Sequence, residues 1–288
     1  MFMLLLKIDN SNLLRNCKAM LIHDTHAHLD YLLKQNPDLS IPELLSNHEF
    51  WIQPGVSISR DRYCLENYLK YPNMYFMIGA HPGEVSKDYN LDNYLKEQRI
   101  TINNYNQLLG TRVVAIGEIG LDYREGMEDK IKDEQKVLFD TEIKISKELD
   151  LPFVVHCRDA WEDTIKIIKA NMPLDKAFLI HCFTGNMDNY KAITELGGYI
   201  ALGGIVTYKN TVKLQEVVKV VDNYVVETDL PWLAPIPNRG KLNMPEYIND
   251  TIKYIADKKN ITIKQAVEKS RSNSIKVFGN SILSHIDK

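Results

Sequence analysis

The stretch MLIHDTHAHLD, residues 20–30, sets an apolar start against an end rich in imidazole and carboxylate. Met20, Leu21 and Ile22 have the character of a short buried strand, and His26 and His28 stand two apart where that strand should finish. In an extended chain, residues i and i+2 share a face and the one between points away. His26 and His28 then stand together with Ala27 turned aside, and two imidazoles on one face make half a metal site. By the same parity His23 points toward covering helices and is no ligand. A doubly wound open sheet carries a Gly-rich phosphate loop after its first strand; HDTHAHLD occupies that place here.

Working outward, seven more short apolar runs follow the first, each trailed by polar or Gly residues and then by a longer segment of helical character. They are FWIQPGV (50–56), MYFMIGA (74–80), VVAIGEIG (113–120), PFVVHC (152–157), FLIHCF (178–183), GYIALGGI (198–205) and YVVETD (224–229). Between them lie helix candidates such as DRYCLENYLKY (61–71), KDEQKVLFDTEIKISKEL (132–149), WEDTIKIIKA (161–170) and NTVKLQEVVKVV (210–221). Near the C-terminus Thr262 and Gln265 have the spacing of a capping box. Eight strand-plus-helix units predict a (β/α)8 TIM barrel, with no long linker to mark a domain boundary.

Bulk properties agree with one large α/β domain. The chain has 288 residues, 44% of them hydrophobic, enough for a sizeable core. A formal net charge of -3 leaves no global basic field, so an anionic substrate has to be held locally. Cys17, Cys64, Cys157 and Cys182 form no CxxC pair, which suits a reducing compartment, and a cytoplasmic location is expected. The opening MFMLLL lacks a preceding basic region and is too short for a membrane span, so no membrane association is expected. Residues 1–19 read as an N-terminal extension and 20–288 as a single barrel domain. No obligate protein partner is evident.

In a barrel the functional groups sit at the C-terminal ends of the strands. His26 and His28 follow run one, His81 run three, Glu118 ends run four, His156 run five, His181 run six, and Glu227 and Asp229 close run eight. His23, His48 and His285 are the histidines left outside this set. Cys157 and Cys182 each follow a candidate ligand, so on regular strands they point outward as buried packing residues. Imidazoles and carboxylates without thiolates suit divalent ions that activate water, namely Mg²⁺, Mn²⁺ or Zn²⁺. His26, His28, His156, His181 and Asp229 are too many for one catalytic ion with an open position; two ions bridged by Glu118 use them all.

The ordered motifs DTHAHL (24–29), GAHP (79–82), GEIGLDY (117–123), HCRDA (156–160), HCFTG (181–185), GGIVTYKN (203–210), ETDLPWLAP (227–235) and NRGKLNMP (238–245) resemble those of TatD-type metal-dependent deoxyribonucleases, within the wider amidohydrolase-like barrels. The resemblance covers nearly all the chain after Met20. It implies that His26, His28 and Asp229 hold one ion and His156 and His181 the other, with Glu118 between them. It also implies hydrolysis of DNA phosphodiesters, as a 3′-to-5′ exonuclease on single strands. Release of D-amino acids from tRNA is associated with relatives, which keeps an aminoacyl-tRNA deacylase, or a hydrolase of a small cyclic amide or lactone, as the alternative. Leu242 and Met244 stand where the family pattern has a basic and an acidic residue, removing one positive charge near the mouth.

For phosphodiester hydrolysis, two cations shield the phosphate and make a bound water more acidic, and Asp229 is expected to accept the proton of the attacking water. Glu118 and Asp229 are thus the expected catalytic carboxylates. His81 and Arg158 are candidate phosphate contacts, and Arg239 and Lys241 candidates for steering the nucleic-acid backbone. Glu227, one residue pair deeper than Asp229, is expected to brace a ligand by a hydrogen bond. Trp232, Tyr123 and Phe183 are candidates for stacking on unpaired bases.

Overall fold

The computed structural model describes residues 21–86 and 90–284. The N-terminal extension, Cys17 and His285 lie outside the described residues. The eight apolar runs form eight strands: β1 (Ile22–Asp24), β2 (His48–Gln53), β3 (Met74–Ile78), β4 (Val113–Asp122), β5 (Phe153–Arg158), β6 (Phe178–Ile180), β7 (Tyr199–Leu202) and β8 (Tyr224–Val226). All neighbours pair in parallel, in the order β1 to β8. Among the described residues ten α-helices accompany them: α1 (Leu29–Gln35), α2 (Ile41–Leu45), α3 (Ile58–Tyr68), α4 (Leu91–Asn104), α5 (Asp129–Glu148), α6 (Trp161–Ala170), α7 (Met187–Glu195), α8 (Val212–Val220), α9 (Ile248–Lys259) and α10 (Ile263–Phe278). This is the predicted TIM barrel. The capping box of Thr262 and Gln265 starts α10.

Two apolar layers follow from strand parity. Ile52, Met77, Ala115, Val154, Leu179, Ala201 and Val225 fill the barrel, and Val277 and Phe278 from the end of α10 pack into the same cluster. The alternate residues, such as Trp51, Phe76, Phe153, Phe178, Ile200 and Val226, meet the helices. On β5 the alternation runs unbroken: Phe153, Val155 and Cys157 face the helices, while Val154 faces the axis and His156 and Arg158 reach the mouth.

The ring closes between β8 and β1 through few backbone bonds and several side chains. Thr25 N–H donates to the Val226 carbonyl at 3.3 Å. The buried Asp24 carboxylate accepts the Thr228 hydroxyl at 2.6 Å and the Thr228 N–H at 3.1 Å. On α10, Ser270 Oγ accepts the Val226 N–H at 2.9 Å and meets His23 Nε2 at 2.6 Å. His23, stacked on Phe50 at 5.0 Å between centroids, therefore serves the seam between sheet and helix.

Candidate metal centre

His26 and His28 do not stand on a regular strand, since β1 ends at Asp24. The segment carrying them is fixed by backbone instead. Asp229 N–H donates to the His26 carbonyl at 2.9 Å, His28 N–H to the Leu230 carbonyl at 3.0 Å, and Ala27 N–H to the Ile52 carbonyl at 3.1 Å. These bonds bring the two imidazoles together with Nε2 facing Nε2 at 3.3 Å. Two ring nitrogens with no hydrogen between them repel, and a cation between them removes that repulsion.

Glu118 gives one oxygen to each half of the cluster. Its Oε2 lies 3.3 Å from His26 Nε2 and 3.9 Å from His28 Nε2, and Asp229 Oδ1 lies 3.9 Å and 3.7 Å from the same two nitrogens. Its Oε1 lies 2.7 Å from His156 Nδ1, 3.5 Å from His181 Nε2 and 3.6 Å from His81 Nε2. Glu118 reaches this position through an irregularity in β4. Ala115 faces the barrel axis and Ile116 the helices, but the next helix-facing residue is Ile119, where the pairing to β5 shifts register. The chain between them turns Glu118 inward, and Asp122 follows with the same orientation.

The site concentrates buried negative charge: Glu118, Asp122, Glu227 and Asp229 are all buried. Burying carboxylates costs several kcal/mol each unless they are paired or coordinate a metal. Burial pushes Asp229 up to about 8, with Glu227 and Glu118 adding to the rise against the opposing pull of His181. Burial holds His28 well below its ordinary range, with His26 adding to it, and lowers His26 as well. The neutral imidazoles of His26 and His28 offer lone pairs beside carboxylates, a donor set that a divalent cation takes, whereas at His181 burial is outweighed by Glu227 and Glu118, which push it up to about 10. The grouping of His26, His28 and Glu118, and that of His81, Glu118 and His156, each hold donor atoms within 4.8 Å of one another. His26, His181 and Asp229 form a further such group, overlapping the first, and the residues present fit divalent metal binding.

A model of TatD-related DNases matches residues 23–279. The chain belongs to the TatD family. An uncharacterized metal-dependent hydrolase of Bacillus subtilis is 32% identical over 265 residues, spanning 90% of this chain and 99% of that protein. One from Escherichia coli K12 is 30% identical over 275 residues, spanning 93% and 97%. The crystal structure of a TatD homologue from Escherichia coli K12 superposes with a TM-score of 0.79 at 23% identity, covering 89% of this chain and 97% of that one, a likeness of fold. The protein is thus a TatD-family metal-dependent hydrolase.

Within this TatD-family barrel the remaining candidates separate. His81 sits in the cluster itself, its Nδ1 accepting the Gly83 N–H at 2.9 Å and its ring 4.5 Å from that of His156. Arg158 lines the open cleft of about 490 Å³ over the centre. Arg239 stacks on Tyr208 at 4.2 Å and Lys241 reaches Asn238 Oδ1 at 3.3 Å, so neither lines that cleft. Glu227 Oε1 lies 3.1 Å from His181 Nδ1.

Two expectations need correction. Cys157 packs outward, its sulfur accepting from Thr164 Oγ1 at 3.4 Å, but Cys182 does not. It follows the end of β6 with φ of 41°, half-buried, and its N–H donates to Glu227 Oε1 at 2.8 Å. Parity fails where the strand has already ended. Phe183 is buried against Trp161 and Tyr123 donates its hydroxyl to Asp163 at 2.7 Å, which leaves Trp232 alone of the three aromatics on the cleft.

Sequence reasoning missed Asp122, Arg124 and Tyr31, which all line the cleft. Asp122 Oδ2 lies 3.3 Å from His156 Nε2. Burial opposes its ionisation, yet hydrogen bonds and charge from His156 and Arg124 hold it at about 2. The available signal was the even spacing from Glu118 to Asp122. No helix of the described residues is long and apolar enough to cross a membrane.

Proposed function

We propose that this TatD-family hydrolase cleaves DNA phosphodiester bonds with two divalent ions, Mg²⁺, Mn²⁺ or Zn²⁺, removing nucleotides from the 3′ end of single strands. The observation that carries this reading is Glu118, whose Oε2 faces His26 and His28 while its Oε1 faces His156, His181 and His81, as a carboxylate shared between cations would. The family description as DNases and the guanidinium groups of Arg124 and Arg158 on the cleft support an anionic phosphate substrate.

Bound ions would supply charge neutralisation at the phosphate and a more acidic water. The chain's own residues do the rest. Arg158 and Arg124 hold non-bridging phosphate oxygens, and Asp229 accepts the proton of the attacking water. Asp122 and Glu227 hold His156 and His181 in orientation.

Single-stranded oligonucleotides labelled separately at each end, incubated with Mg²⁺, with Mn²⁺ and with EDTA, test the reading against a Glu118→Ala control. A metal-dependent ladder absent in the variant, shortening from the 3′ end, is expected. No cleavage by folded, metal-loaded protein overturns it in favour of the aminoacyl-tRNA ester or a small cyclic amide or lactone.

A further inference from the structure

Beside the metal cluster, the cleft has an aromatic corner. Trp232, on the loop after β8, is 42% exposed, an unusual position for the largest side chain and one that leaves indole surface open to a ligand. Its ring packs edge to face against His28 at 5.1 Å and against Tyr31 at 5.0 Å between centroids. Tyr31 is in turn fixed from the side: the Arg60 guanidinium lies over its ring at 3.4 Å and pairs with Asp30. Gln53 Nε2 donates to Asp30 at 3.1 Å, tying the brace to the end of β2. Tyr31 is thereby a positioning residue for Trp232, and the indole is held next to an imidazole of the candidate metal cluster.

Arg124 and Arg158 come from the ends of β4 and β5, whereas Tyr31 and Trp232 come from the loops after β1 and β8. The cleft therefore presents cationic groups from one part of the ring and a flat aromatic surface from another, with the metal cluster between. That combination suits a phosphate carrying a planar substituent.

We infer that Trp232, braced by Tyr31, is a stacking subsite for the unpaired nucleobase adjoining the scissile phosphate. The inference rests on the phosphodiester reading above and deepens it. A paired base is held in the plane of its complement and against its neighbour, so the subsite favours strands whose end is free to turn its base onto the indole. Stacking of a base on an aromatic ring tolerates sequence, since every base has a π-face. The subsite therefore predicts selection for single-strandedness without preference among bases.

The test compares wild type, Trp232→Ala and Trp232→Phe on two single-stranded oligonucleotides, one with a normal residue and one with an abasic residue at the attacked end. Wild type is expected to favour the base-bearing strand by about tenfold to a hundredfold, the range of one stacking contact, chiefly in KM. In Trp232→Ala the ratio between the two strands should fall toward one, whatever change is common to both, and Trp232→Phe should keep most of the ratio. Equal handling of both strands by wild type, or an equal loss on both in Trp232→Ala, overturns the subsite and leaves the nuclease standing. No cleavage of either strand by metal-loaded wild type removes both readings.

Discussion

Glu227 Oε1 lies 3.1 Å from Nδ1 of His181, on the ring edge opposite the Nε2 that faces Glu118. A carboxylate at that edge fixes the tautomer and raises the basicity of the nitrogen on the far side. The same oxygen accepts the Cys182 N–H, so one group orients both the ring and the turn that carries it. Glu227→Gln can keep the Cys182 contact and removes the charge. It is expected to lower metal affinity or turnover by about tenfold to a hundredfold with little change in unfolding midpoint. Undiminished metal affinity and turnover in this variant would refute the bracing role.

Metal analysis of the purified protein is expected to give two equivalents of divalent ion per chain, falling in Glu118→Ala by more than in His26→Ala or His156→Ala, because Glu118 serves both halves. Added metal should raise the melting temperature, since an ion at a hundred times its Kd stabilises by about 2.7 kcal/mol. A melting temperature indifferent to metal and to EDTA would count against a resident ion. Asp229→Asn should leave the fold intact and remove most turnover.

Gly120 has φ of 130°, and a Cβ there would lie 2.2 Å from the carbonyl oxygen of His156. Gly120→Ala must push β4 off β5 just where His156 is carried. A loss of about 2 kcal/mol or more is expected by chemical denaturation, with a larger proportional loss of activity. Gly126→Ala is the control, for Gly126 also has positive φ, 77°, but nothing within 4 Å. If the two substitutions cost the same, the close approach is not what demands glycine at 120.

Asp61 and Glu142 are buried outside the metal cluster and hold the backbone at the end of β3: Gly79 N–H donates to Asp61 at 3.1 Å and Ala80 N–H to Glu142 at 2.9 Å. Burial pushes each of them up to about 8. A folded pKa above the unfolded one means that the native state binds more protons. The resulting stabilisation is complete below the ordinary carboxylate range and is lost as pH rises toward and through about 8. Glu142→Gln mimics the neutral acid, so it should match wild type near pH 5 and exceed it near pH 9, by a difference on the order of a few kcal/mol. Denaturant titrations at the two pH values check this. Parallel stability profiles would show that Glu142 is ionised in the native state.

Much of the site could be read from where residues fall in the chain. Eight apolar runs gave eight strands, and imidazoles or carboxylates after runs one, three, four, five, six and eight converge on one mouth, because parallel strands in a barrel all end on the same face. Parity held for β5, where the strand is long and regular, and so placed His156 and Arg158 inward and Cys157 outward.

Parity could not reach beyond the strand ends. His26, His28 and Cys182 sit past the last ladder residue, and Glu118 beside a register shift, so their directions depend on bonds to Asp229, Leu230, Ile52, Glu227 and, for Glu118, Gly55, all distant in the chain. The sequence by itself determined the barrel and the identity of its polar mouth, since hydrophobic periodicity and residue type are local properties of the chain. Tertiary structure alone decided that Tyr31 joins the cleft, that Arg239 and Lys241 turn to Tyr208 and Asn238, and that the two oxygens of Glu118 face different imidazoles. Those outcomes depend on contacts between residues far apart in the chain, which no local pattern encodes.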